Sequence, residues 1–164
     1  MGIDDLVYSI SYGIGRIKRN IGNKYLVQFE YDEIALNEHD LYLISPILVD
    51  YIKNDKWHDY FTLRSIENGE KYFENGNVRS VAVMGNSITA TVVGNMQYDT
   101  TINITNRGIK ASCSCPVGNN CKHAVAALAY LKKIFNKLGI KRDELNKTSG
   151  TNELIFKSIT LVQL

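Results

Sequence analysis

The sequence predicts an α+β protein made of two small units. Three observations predict it. Short alternating strands with glycine turns fill the first 47 residues, a two-residue periodicity runs from Val78 to Ile104, and an apolar stripe of helical period runs from Ala124 to Leu138. At 164 residues and 45% apolar, the chain can bury one medium core or two small ones. The change of pattern favours two, with boundaries at 1–47 for the first unit, 48–55 for a connector, 56–140 for the second unit and 141–164 for a tail.

In the first unit, Tyr12-Gly13-Ile14-Gly15-Arg16-Ile17 opens a strand and Lys24 to Tyr31 forms a second, with Gly22-Asn23 as the turn between them. Ile34 to Leu36 and Leu41 to Ile44 are shorter strands. Gly13-x-Gly15 lacks the third glycine and the following helix of a phosphate-binding fingerprint. Tyr12, Tyr25, Phe29 and Tyr31 fill the core of this unit or, alternatively, form an aromatic cage for a cation. With four basic and seven acidic residues, the unit suits a protein partner better than a nucleic acid.

The second unit opens on a helix from Tyr60 to Phe73, stopped by Asn75-Gly76. Val78–Val83, Ile88–Val93 and Thr100–Ile104 then alternate as a β-meander, with Gly85-Asn86 as the first turn and Arg107-Gly108 as another. Ile109 to Ser112 leads into Cys113-Ser-Cys115-Pro-Val-Gly-Asn-Asn-Cys121-Lys-His123, which holds all three cysteines of the chain. Three thiolates and one imidazole complete a tetrahedral set for a single structural Zn²⁺ and leave no position for water or substrate. Pro116, Gly118, Asn119 and Asn120 supply the turn chemistry that so short a connection needs. Metal binding and local folding should be one event, worth roughly 10–16 kcal/mol by analogy with zinc-finger peptides. A disulfide pairing fits poorly, because Cys-x-Cys is awkward to bridge and the count is odd. A three-Cys, one-His iron–sulfur centre and a mere cluster of buried residues are the remaining alternatives.

Cys-x-Cys, a short gap and Cys-x-His resembles the SWIM zinc finger, a ββα module of Swi/Snf-type ATPases, MuDR-class transposases and partners of Rad51-like recombinases. Gly69, Tyr72, Phe73, Gly76 and Val78 upstream are similar to the lead-in of bacterial and archaeal members. The resemblance covers about residues 61–138 and implies DNA binding or protein contact, with no catalytic role. The first unit resembles, less specifically, a small SH3-like barrel of the Tudor or KOW kind. The expected architecture is thus an SH3-like barrel followed by a SWIM-type domain of helix, meander and zinc-bound ββα with a long C-terminal helix.

The net charge of +2 averages two unlike halves. Residues 1–105 hold nine basic and fourteen acidic side chains, and residues 106–164 hold ten and three. From Arg107 to Arg142 there are eight cations and no Asp or Glu, which suggests a polyanionic partner. On a helical wheel Ala124, Ala127, Leu128, Leu131, Ile134, Phe135 and Leu138 share the core stripe, with Val125 at its edge. Lys122 and Lys133 differ by about 20° on the opposite side, with Lys137 about 40° beyond. Interleaved with Ala126, Ala129 and Asn136, they make a flat basic ridge, which with Lys110 is the expected nucleic-acid surface. A solvated face that complements the helix dipole is the alternative.

Leu154 to Leu164 reads as a last strand after a loop at Lys147–Asn152. No run approaches eighteen apolar residues, and Asp4 and Asp5 stand where a signal peptide would be basic, so a cytoplasmic protein with no membrane partner is expected. His39 and His58 have no evident nucleophile, and no catalytic constellation emerges. The expectation is a non-enzymatic zinc module that binds DNA or RNA and docks a protein. The alternative is an adaptor for a recombinase or ATPase without nucleic-acid contact.

Overall fold

The computed structural model describes residues 1–144. Five strands, β1 (Leu6–Ser9), β2 (Gly13–Ile21), β3 (Lys24–Gln28), β4 (Glu33–Asn37) and β5 (Tyr42–Leu43), form an antiparallel sheet in the order β4-β3-β2-β1-β5. A 3₁₀ turn, Glu38–Asp40, returns the chain so that β5 pairs with β1, which is the strand order of a small SH3-like barrel. Val7, Ile17, Val27, Phe29 and Leu41 close a core between its faces. The first strand, β1, is absent from the sequence reading. Its four residues are too few for alternation to stand out beside Ile10 and Tyr12, which continue the apolar run through the turn. The aromatic cage does not form. Phe29 is core, Tyr25 packs on that core, Tyr12 leans on Phe29 at 5.4 Å between ring centroids, and Tyr31 is 86% exposed.

The second sheet is a plain antiparallel meander of β6 (Val78–Met84), β7 (Ser87–Val93), β8 (Gln97–Thr105) and β9 (Gly108–Cys113). The helix α3 (Lys122–Lys137) lies across one face and touches all four strands. Ala124, Ala127, Leu128, Leu131, Phe135 and Leu138 are buried as the periodicity requires, with Ile134 packed at the margin.

Two sequence expectations need correction. Residues 48–55 are no connector. Pro46–Lys53 forms the helix α1, with Pro46 in its first turn and Leu48 and Ile52 fully buried. Two apolar positions one turn apart in an eight-residue helix make too short a pattern to read against Pro46 and Asp50. Through α1 the two units share a core: Leu6, Ile14 and Ile44 of the first unit with Leu48, Ile52, Trp57, Val83, Leu128 and Phe135. The backbone also crosses the boundary, as Ser45 N donates to Gly85 O at 2.7 Å and Gly85 N to Leu43 O at 3.0 Å. The helix expected over Tyr60–Phe73 is two elements, a 3₁₀ turn at Lys56–Tyr60 and α2 (Leu63–Glu74). Thr62 divides them, because its Oγ1 accepts from Ser65 N at 3.1 Å and caps the helix.

Ion pairs add further ties. Lys137 pairs with Glu30 and Lys132 with Asp55, joining α3 to the first sheet and to the segment after α1. Asp143 accepts from Lys53 Nζ at 2.8 Å, so the start of the expected tail packs back onto α1. The expected loop at Lys147–Asn152 and strand at Leu154–Leu164 lie outside the described residues. Among the described residues, no helix is long and apolar enough to cross a membrane.

Candidate metal centre

Cys113 ends β9, Cys115 follows on the connecting loop, Cys121 caps α3 and His123 stands in its first turn. The loop turns through Gly118 and Asn120, both at positive φ (80° and 44°), which glycine and asparagine tolerate best. Asn120 holds it in place: its N donates to Ala111 O at 3.2 Å, its Oδ1 accepts from Ala111 N at 3.3 Å, and its Nδ2 donates to Tyr60 O at 3.3 Å. Cys113 N donates to Gly118 O at 2.7 Å and completes the turn.

The four donor atoms lie within 4.8 Å of one another. Cys113 Sγ is 3.7 Å and Cys121 Sγ 3.6 Å from His123 Nδ1. A tetrahedron with about 2.3 Å to sulfur and about 2.0–2.1 Å to nitrogen has S···N edges of about 3.6 Å, so the spacing fits zinc through Nδ1. The electrostatics point the same way. Burial pushes the Cys113 thiol up to about 12 and raises Cys121 as well, against the amides of Ala124 and His123. Burial also opposes ionisation of Cys115, but the amide of Gly118 and the neighbouring thiols outweigh it and hold that thiol below its ordinary value. Burial, with the adjacent Lys122, keeps His123 neutral. Three crowded thiols of this kind ionise together only with a dication among them. None of the three is in a disulfide.

The aromatic surroundings of His123 escaped the sequence reading. Tyr98 stacks on its ring at 4.5 Å and Tyr72 meets it edge-on at 5.4 Å. The one available signal was the phase of β8, in which Tyr98 shares a face with buried Thr100 and Ile102. Tyr72 and Phe73 are half-buried between α2 and α3, as core and edge residues. Beside the centre opens a cleft of about 460 Å³, with Arg64 and Asn68 of α2, Asn95, Val117 and Lys122 among its walls.

The flat lysine ridge is not observed. Of the residues expected between the lysines, Ala126 is fully buried and Ala129 half-buried, leaving only Asn136 exposed, and Val125, expected at the edge of the core stripe, is fully buried. A face that reads as polar on a wheel is covered because Gly69 lets α2 approach so closely. Lys122 lies over the Tyr72 ring at 4.6 Å and Lys133 over the Phe73 ring at 5.5 Å. Lys137 is neutralised by Glu30, while Lys110 is exposed on β9 without an acidic partner among the described residues.

A family model described as SWIM zinc finger matches residues 95–132, a span that contains all four donors. No curated protein and no solved structure matches the chain.

Proposed function

We propose, for a chain that carries a SWIM zinc finger with one structural zinc, a non-catalytic role in binding DNA or RNA, in a cytoplasmic setting that keeps its thiols reduced. One observation carries the reading. Between Arg107 and Arg142 there is no acidic residue, and the protein's own carboxylates reach only some of the cations there. Asp55 takes Lys132 and Arg142, and Glu30 takes Lys137. Arg107, Lys110, Lys122, Lys133 and Lys141 have no acidic partner among the described residues and are the cations left for phosphates. The closed ligand set supports a structural rather than a catalytic metal, since no coordination position is left for water.

Fluorescence anisotropy of labelled DNA and RNA against the zinc-loaded chain tests this. About three phosphate contacts give a roughly 40-fold loss of affinity between 50 and 200 mM salt. Affinity that stays flat across that series, or no binding at 50 mM, overturns the reading.

A second reading has its own observation. Ile10, Tyr12 and Tyr31 of the first unit are 70%, 49% and 86% exposed, which suits docking of a protein. A recombinase or an ATPase is the class of partner that the resemblance suggests. On this reading the chain is an adaptor and the lysines meet an acidic protein surface.

A further inference from the structure

We infer that the cleft beside the metal centre receives one unpaired nucleotide, an inference that rests on the nucleic-acid reading above and gives it a place. At about 460 Å³ the cleft falls in the size range of pockets that hold small organic groups. Among the described residues no Asp or Glu lines it, whereas Arg64 and Lys122 do. Arg64 is exposed at the second position of α2 and has no ion-pair partner among the described residues. The centre itself, three thiolates around Zn²⁺, carries about −1, so the two cations leave the walls net positive.

The remaining walls match a base. Asn68 and Asn95 offer amide donors and acceptors, and neither side chain is spent on another residue among those described. Val117 is 72% exposed beside Pro116 and presents a largely uncovered apolar edge. His123 Nε2 is buried without a hydrogen-bond partner among the described residues and is closed off from the cleft, so the amides and the apolar edge are what a base would meet.

Concavity selects single strands. In a duplex the Watson–Crick edges are paired and the bases are held in the stack, out of reach of a cleft. An unpaired base turns out of the strand and offers its Watson–Crick edge to side-chain amides while its own phosphate meets the guanidinium.

The test is anisotropy with the full zinc-loaded chain and three probes: a 15-nucleotide single strand, the corresponding duplex, and a strand of the same length made of abasic units. Arg64→Ala, Asn68→Ala/Asn95→Ala and Val117→Asp change the cleft, and Lys110→Ala and Lys133→Ala serve as cations outside it. Zinc content and circular dichroism confirm that each variant is folded. The expected result is that the single strand binds about tenfold tighter than the abasic strand and that each cleft variant loses about tenfold on the single strand, Asn68→Ala/Asn95→Ala and Val117→Asp without a matching loss on the abasic strand.

Equal affinity for normal and abasic strands removes the base from the cleft and overturns the inference. Unchanged single-strand binding by the cleft variants, with loss in Lys110→Ala and Lys133→Ala, overturns it while the wider nucleic-acid reading stands. If no probe binds at 50 mM salt, both fall. Polyglutamate binding as tightly as the single strand, and weakened by Arg64→Ala, transfers the cleft to an acidic protein partner.

Discussion

Gly69 rests against Val125 so closely that a Cβ built on the glycine would stand 2.4 Å from the valine Cβ and 2.7 Å from Lys122 O. No real side chain occupies such a position. The contact lets α2 lie on α3, and it sets Tyr72 beside His123 and Phe73 beside Tyr130. Gly69→Ala should force the helices apart and destabilise the protein by about 1–3 kcal/mol, measured by urea unfolding. Unchanged stability would show that the two helices have slack.

Zinc removal should be more severe. One zinc per chain is expected by elemental analysis, and Cys113→Ser, Cys121→Ser or His123→Ala should each abolish that stoichiometry. A chelator should lower the melting temperature and, because the core is shared, should disturb the first sheet along with the finger. An intact first sheet in the chelated protein, seen by hydrogen exchange, would show that the two units fold apart.

The same shared core makes α1 a sensitive element. Leu48→Ala or Ile52→Ala removes a fully buried side chain and should cost about 2–5 kcal/mol. Trp57, fully buried in that cluster, gives a fluorescence probe of the loss. Its unfolding transition should coincide with that seen by circular dichroism.

Acid should loosen the tie between α1 and the residues that follow α3. The Lys56 hydrogen bond holds the Asp50 carboxyl below its ordinary value, and Lys53 and Asn54 do the same for Asp143. A carboxyl with a lowered pKa stabilises the fold above its unfolded pKa of about 3.9 and loses that contribution as the pH falls through the folded value. Asp143→Asn should therefore melt at a lower temperature than the wild type at pH 6. The gap should close toward pH 3. A gap independent of pH would remove the ionic basis of the contact.

Lys137→Ala should weaken nucleic-acid binding less than Lys122→Ala. Glu30 already answers the Lys137 charge, with the lysine and glutamate side chains 43% and 31% exposed, whereas Lys122 has only the Tyr72 ring among the described residues. Glu30→Gln should then strengthen binding by freeing Lys137, as read by anisotropy at 50 mM salt. An equal loss in the two lysine variants would mean that the pair opens on contact with the ligand.

Much of this was legible in the sequence because it depends on local spacing. Cys113, Cys115, Cys121 and His123 sit within eleven residues, and the strands from Val78 to Ile104 follow a period of two, broken by a bulge between Val78 and Ser80. What escaped depends on partners far away in the chain. Nothing near Val125 or Ala126 tells that α2 covers them, and nothing near Lys137 tells that Glu30 neutralises it. Gly69 was visible as part of a lead-in, but its reason is a helix that begins more than fifty residues later. Arg64, Asn68 and Asn95 become a group only when that helix is in place.

The loop that carries the metal also lies along the outer side of β9, where Gly118, Asn119 and Asn120 bond to the last strand of the second sheet. Those bonds occupy backbone groups that an edge strand would otherwise present to solvent. Losing zinc thus does more than soften a corner of the molecule. It uncovers a row of unpaired amides and carbonyls on β9, the kind of template on which a second chain can add a strand, so that metal starvation becomes a route to aggregation.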